Sequence, residues 1–136
     1  MGIVYAEITM KNMGDLILAE KGHLKEKDVR ETTVNAMVDT GAFTLVIGEE
    51  VREQLGLTLK GDDWVRLANG EPETVKKVAP VEVHWENRSM ICEPVLLPGT
   101  KDVLLGAIPL EGMDLIVDPK NEELVGRHGN KIIHRV

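Results

Sequence analysis

The chain of 136 residues has a single cysteine, Cys92, so no disulfide can close within it. Its core must therefore carry the fold, and a chain of 15.0 kDa is long enough to bury one as a single domain, 1–136. No apolar run approaches the length needed to span a bilayer. The opening "MGIVYAEITMKN" alternates and is too polar for the apolar region of a secretory signal. Ala6 stands where a myristoylation motif wants Ser or Thr. The expected compartment is the reducing cytoplasm. No Lys/Arg-dense stripe occurs and the net charge is −7, which speaks against nucleic acid or an anionic membrane as a partner. The four histidines, His23, His84, His128 and His134, show no HExxH spacing and no nearby Cys pair, so no metal site is read.

What is present reads as mostly β. "IVYAEITM" (Ile3 to Met10) alternates at strand period, "KNMGD" is turn chemistry, and "LILAE" reads as the returning strand of a hairpin. "KGHLKEKDVRE" is a solvated, charge-rich connection. "TTVNAMVD" is again strand-like, rich in β-branched residues. One segment before the last third reads as a helix, "GEEVREQLGL", a short one near 49–56, with acids in its first turn and Gly56 to close it. Trp64 to Ala68 and Thr74 to Val78 flank the turn pair Asn69-Gly70. A second hairpin turns at Glu86 to Arg88, and a third around Asp118 to Asn121. "DVLLGAIPLEGM" is a strand running into a short helix near Ala107, and "KIIHRV" is a candidate last strand. With no repeat or linker, the pattern suggests a small closed or nearly closed barrel.

The chemistry concentrates in "NAMVDTGAFTLVIG". Asp39 lies between apolar runs, where a carboxylate needs compensation. By itself Asp-Thr-Gly is weak evidence, arising by chance in roughly one chain in twenty of this size. Its position at the end of a strand is more telling. Gly41 lets the backbone approach and present an N–H to the carboxylate, and the Thr40 hydroxyl can tie the loop to a neighbour. Such a carboxylate suits water activation, one ionised group taking a proton while a second, protonated one polarises a carbonyl. His84 and Glu86 read as a surface pair, Cys92 as a buried and inert thiol, and "GRHGNK" as a polar turn.

"AMVDTGAFTLVI", "EEVREQLGL", "VRLANGEPETV" and "DVLLGAIPLEGMDLIVDP" occur in an order and at spacings that resemble the retropepsin-like aspartic proteases, above all their single-domain cellular and prokaryotic members. The likeness runs from about Thr33 to Gly126. It implies a mostly β acid-protease barrel with a short helix after the strand that threads beside the catalytic loop. It also implies that Asp39 is catalytic, with Thr40, Gly41 and Ala42 supporting the loop. Leu104, Leu105 and Gly106 then form the threading strand, and Leu67, Ala68, Asn69 and Gly70 the flap over a peptide or protein substrate. No cofactor or metal is implied. Because the chain holds one D-T-G, two carboxylates require a homodimer. Asp114 and Asp118 read as turn or cap residues, and Phe43 as a core residue rather than a pocket wall. Both the N-terminal hairpin and "KIIHRV" are candidates for the dimer interface. The alternatives are a dimer of the same fold that binds or scaffolds peptides without efficient turnover, and an unrelated β-barrel with a chance D-T-G.

Overall fold

Alternation decides the first strands. In the computed structural model, which describes residues 2–136, β1 (Tyr5–Asn12) buries Ala6, Ile8, Met10 and Asn12 and turns the residues between them toward solvent. Its partner is β2 (Glu31–Val38), antiparallel from Tyr5↔Met37 to Lys11↔Glu31. Between them "LILAE" does not return as a strand. It belongs to a helix, α1 (Met13–Glu20).

The cause lies just upstream of that run. The Asn12 side chain accepts from the Asp15 N–H at 3.0 Å and so caps the helix, while its amide donates to the Leu55 carbonyl at 2.8 Å. Asp15 is buried and accepts from Arg30 three times, from the backbone N–H at 3.0 Å, Nε at 2.8 Å and Nη2 at 2.9 Å. Cap and ion pair together hold the helix and the charged connection against the barrel. The apolar run itself contributes little burial, since Ile17 and Leu18 are exposed.

The later elements follow the sequence pattern closely. β3 (Val46–Ile47) leads into α2 (Glu49–Leu55), which ends on a left-handed Gly56 with φ 62. β4 (Leu59–Arg66) and β5 (Pro72–Val78) form the long hairpin. Its strands stop at Arg66 rather than Ala68, and among the turn residues Gly70 has φ 86 while Asn69 keeps a negative φ. β6 (Val81–Trp85) and β7 (Arg88–Cys92) join through Glu86 and Asn87. β8 (Val95–Leu96), β9 (Leu104–Leu105) and α3 (Ala107–Gly112) come next. β10 (Leu115–Asp118) and β11 (Glu123–Gly126) pair in a sheet of their own.

The main sheet has nine strands in the order β4-β5-β8-β3-β9-β2-β1-β6-β7, curled into a half-barrel that is mostly β. Its interior is filled by Ile8, Met10, Leu45, Ile47, Leu55, Leu57, Leu105 and Met113, all essentially inaccessible to solvent. A second, smaller cluster of Val46, Val75 and Val95 sits beneath the β4–β5 hairpin. "KIIHRV" adds no strand within the chain. Lys131 makes an isolated bridge to His128, and Ile132 and Ile133 lie exposed beyond it.

The Asp15–Arg30 pair is testable. Asp15→Ala should lower stability by about 2 kcal/mol in urea unfolding, chiefly through lost hydrogen bonds to the loop. Arg30 is 51% exposed, so the purely ionic part is screened. The hydrogen bond from Arg30 is the main reason the Asp15 carboxyl is held below its ordinary range. A depressed folded value means the unfolded chain takes up the proton first as the pH falls. The contribution of Asp15 should therefore be complete at neutral pH and decline below about pH 4. A variant that loses stability with acid as steeply as the wild type would contradict this assignment.

Candidate active site

The D-T-G loop is fixed by a strand that runs between its two flanks. β9 pairs with β2 in parallel, Met37 to Leu104 and Val38 to Leu105, and with β3 in antiparallel at Val46↔Leu104. Threading the strand there brings the Asp39 N–H to the Leu105 carbonyl at 3.0 Å and the Met37 N–H to the Val103 carbonyl at 2.8 Å. The far side of the loop is gripped by the first turn of α3. Ala107 N–H donates to the Ala42 carbonyl at 2.8 Å, and Ile108 N–H to the Phe43 carbonyl at 2.9 Å. Gly106 lies at the centre of this clasp. A Cβ there would fall on the carbonyl oxygens of Thr44 and Ala42, so only glycine lets the backbones come this close.

Within the loop, Asp39 Oδ1 accepts from the Gly41 N–H at 2.9 Å, and the Ala42 N–H closes the turn on the Asp39 carbonyl at 3.1 Å. Of the flanking strands β3 is buried throughout, whereas β2 buries only Ala36; Asp39 is half-buried in the single chain, and Thr40 beside it is exposed. The carboxylate faces a cleft of about 790 Å³. Asp39, Gly41, Ala42 and Phe43 form one lip, and residues Asp63 to Ala68 of the long hairpin form the other. Val46, Val75, Val95, Leu97 and Leu104 make an apolar floor.

The structure brings Asp39, Gly41, Ala42, Leu67, Ala68 and Leu104 to one cavity, whose lining does not include Thr40. Leu105 and Gly106 are buried behind the loop and support it from below. Asn69 and Gly70 sit at the exposed hairpin tip, outside the cleft lining.

Phe43 departs from its reading as a core residue. It is 46% exposed and lines the cleft, because the buried position goes to its neighbour Thr44 at 2%. The hairpin residues Asp63, Trp64, Val65 and Arg66 were not singled out by sequence, although their place one strand-length before "LANG" was a usable signal.

Other groups lie away from the cleft. His84 Nε2 meets Glu82 Oε1 at 2.6 Å, not Glu86, which occupies the turn with φ 51. Residues i and i+2 share a strand face, and Glu86 lies just past the end of that strand. Cys92 is buried, and desolvation pushes its thiol up to about 12, as suits an inert core residue. Asp118 is a turn residue, accepting from the Lys120 and Asn121 N–H groups at 3.0 and 3.3 Å. Asp114 does more than cap. Buried and at φ 55, it accepts from the Ile133 N–H at 3.0 Å and lies 2.6 Å from His128 Nδ1. Among the described residues no three His, Cys, Asp or Glu side chains gather as a metal site would require.

A curled β half-barrel with an Asp-Thr-Gly loop clasped by a threading strand, and a hairpin across the cleft, defines an acid-protease type of architecture. A family model described as aspartyl protease matches residues 26–107, over half of the chain. The chain belongs to the aspartyl protease family, of the retropepsin-like kind. No match to it was found among curated proteins.

The clasp predicts an asymmetry between two glycines. Gly106→Ala should cost about 3 kcal/mol in chemical unfolding, because two backbone carbonyls would have to give way. Gly70→Ala, with open space but a φ of 86, should cost about 1 kcal/mol. Equal effects, or a tolerated Gly106→Ala, would mean that the loop is not packed against α3 as described.

Proposed function

We propose that the protein is an aspartic endopeptidase that works as a homodimer, with Asp39 of each subunit meeting across a two-fold axis. The observation that carries this reading is the position of Asp39. Its carboxylate is half-exposed at the lip of a peptide-sized cleft, on a loop held rigidly from below. One chain offers one such carboxylate, and activating water against an amide takes two that share a proton. A second copy of the same loop supplies the missing one, with Thr40, exposed beside Asp39, free to engage the partner loop.

In this mechanism the ionised Asp39 accepts a proton from water while the protonated one donates to the peptide carbonyl. A tetrahedral intermediate forms and then collapses with proton return to the departing amine. The Gly41 N–H steadies the carboxylate through the cycle. The β4–β5 hairpin lies over the substrate as a flap, and its backbone pairs with an extended chain by strand addition. Val46, Val75, Val95 and Leu104 offer apolar contact to side chains that point into the floor.

Asp39→Asn should abolish cleavage of an unstructured protein, a loss of about three orders of magnitude or more, while sedimentation shows the same oligomer as the wild type. The wild-type rate should trace a bell on the acidic side of neutrality, as a dyad sharing one proton requires. Undiminished cleavage by the variant removes the dyad. Peptide binding by the wild type with no turnover at any pH would instead favour a binding or scaffolding role for the same cleft.

A further inference from the structure

Resting on the reading of this cleft as a peptide site, we infer that Asp63 selects substrates carrying a lysine or arginine beside the cleavage point. Along β4 and the residue after it, Asp63, Val65 and Leu67 are half-covered while Trp64 and Arg66 are exposed, so the first three share the inward face. Val65 packs on the apolar cluster under the hairpin, and Asp63 pairs across the ladder with Val75, which is 2% exposed. A carboxylate in that position is costly unless something answers it.

Among the described residues only a neighbouring backbone N–H does. Asp63 Oδ1 accepts from the N–H of its own neighbour, Trp64, at 2.9 Å, and among the described residues no cation lies within ion-pair distance of it. Lys76 is engaged with Asp62. Lys77, on the neighbouring strand, lies outside the cleft lining. Arg66, the only Lys or Arg among the described residues that line the cleft, is exposed and donates to the Gly70 carbonyl at 2.7 Å.

An extended peptide covering the floor would strip water from Asp63. A substrate bringing its own ammonium or guanidinium group makes good that loss, a neutral one does not, and an acidic one adds repulsion. The discrimination comes as much from rejecting acids as from attracting bases. In a two-fold dimer each flank of the substrate meets one Asp63, so the preference should appear on both sides of the cleaved bond.

The test uses octapeptides with one apolar centre and Lys, norleucine or Glu placed in turn at each flanking position. For the wild type, kcat/KM should favour Lys over norleucine by about fivefold at one position on each side, with Glu poorest. The preference should shrink as salt is raised. Asp63→Asn should bring the Lys-to-norleucine ratio to near one, Asp63→Lys should invert the order in favour of Glu, and Asp63→Glu should keep it. The same ranking in wild type and Asp63→Lys overturns the inference while leaving the protease reading intact. If wild type cleaves none of the peptides, the protease reading fails, and binding decides the matter separately. Tryptophan fluorescence of the Asp39→Asn protein should then report tighter binding of the Lys peptide, lost in the Asp39→Asn, Asp63→Asn double variant. Equal or undetectable binding of all three peptides overturns the inference.

Discussion

Everything in the site depends on one backbone clasp. β9 lies between the strands that enter and leave the D-T-G loop, and α3 begins where it ends. Between them they accept or donate to Asp39, Ala42 and Phe43, so the loop's backbone is held on two sides by other backbone, while the Gly41 N–H goes to the Asp39 carboxylate. This leaves the Asp39 carboxylate free to face the cleft and yet unable to drift. Gly106 is the residue that allows it, because a side chain there would push the loop away from its support. Rigid placement from below and openness above are the two conditions that a catalytic carboxylate must meet together.

The same arrangement leaves one Asp-Thr-Gly carboxylate at the cleft of each chain. The half-barrel leaves β4 and β7 as edges, and the D-T-G loop lines the cleft from the middle of the strand order. The β4 edge carries charge, with Lys60, Asp62, Asp63 and Arg66 along it, a pattern that discourages indiscriminate strand pairing. In the function proposed above, a substrate strand added to that edge is selected, and the inward face of the hairpin does the selecting. Placement of Asp39, the flap reading and the role inferred for Asp63 are thus three consequences of one geometry.

Much of this was legible in the sequence wherever local chemistry and fold agreed. The α2 helix was readable from its acidic first turn and Gly56, the β6–β7 hairpin from alternation around its turn, and the threading strand from Leu104-Leu105-Gly106 followed by a helix. Illegible parts were decided by partners far away in the chain. "LILAE" has no period that separates helix from strand, and it is Asn12 reaching Leu55 and Asp15 reaching Arg30 that choose helix. Phe43 looked like core because it is the sole phenylalanine among apolar neighbours, but the clasp fixes the loop's parity and gives the interior to Thr44. His84 has an acid two residues away on either side, and only the strand's end at Trp85 decides for Glu82. "KIIHRV" has strand composition, but composition cannot supply a neighbouring strand.

The tail beyond β11 shows how far the influence of α3 extends. Its first residues clasp the active loop, while the chain just past its end, Met113 and Asp114, holds the C-terminal segment. Arg88 is buried and donates to the Met113 and Asp114 carbonyls at 2.9 and 2.8 Å, and also to the Gly129 carbonyl. The Asp114 carboxylate, held below its ordinary range first by the hydrogen bond to His128 and then by the Ile133 N–H, ties down the tail on the other side. Its Nε finds no partner, so this buried guanidinium, with no carboxylate within ion-pair distance among the described residues, depends on those three carbonyls staying in place. The helix that positions the D-T-G loop is thereby tethered at both ends, and the tail is placed by the same element as the aspartate. Where Ile132 and Ile133 emerge exposed from that tether is set by the core, not by the tail's own weak preference for a strand.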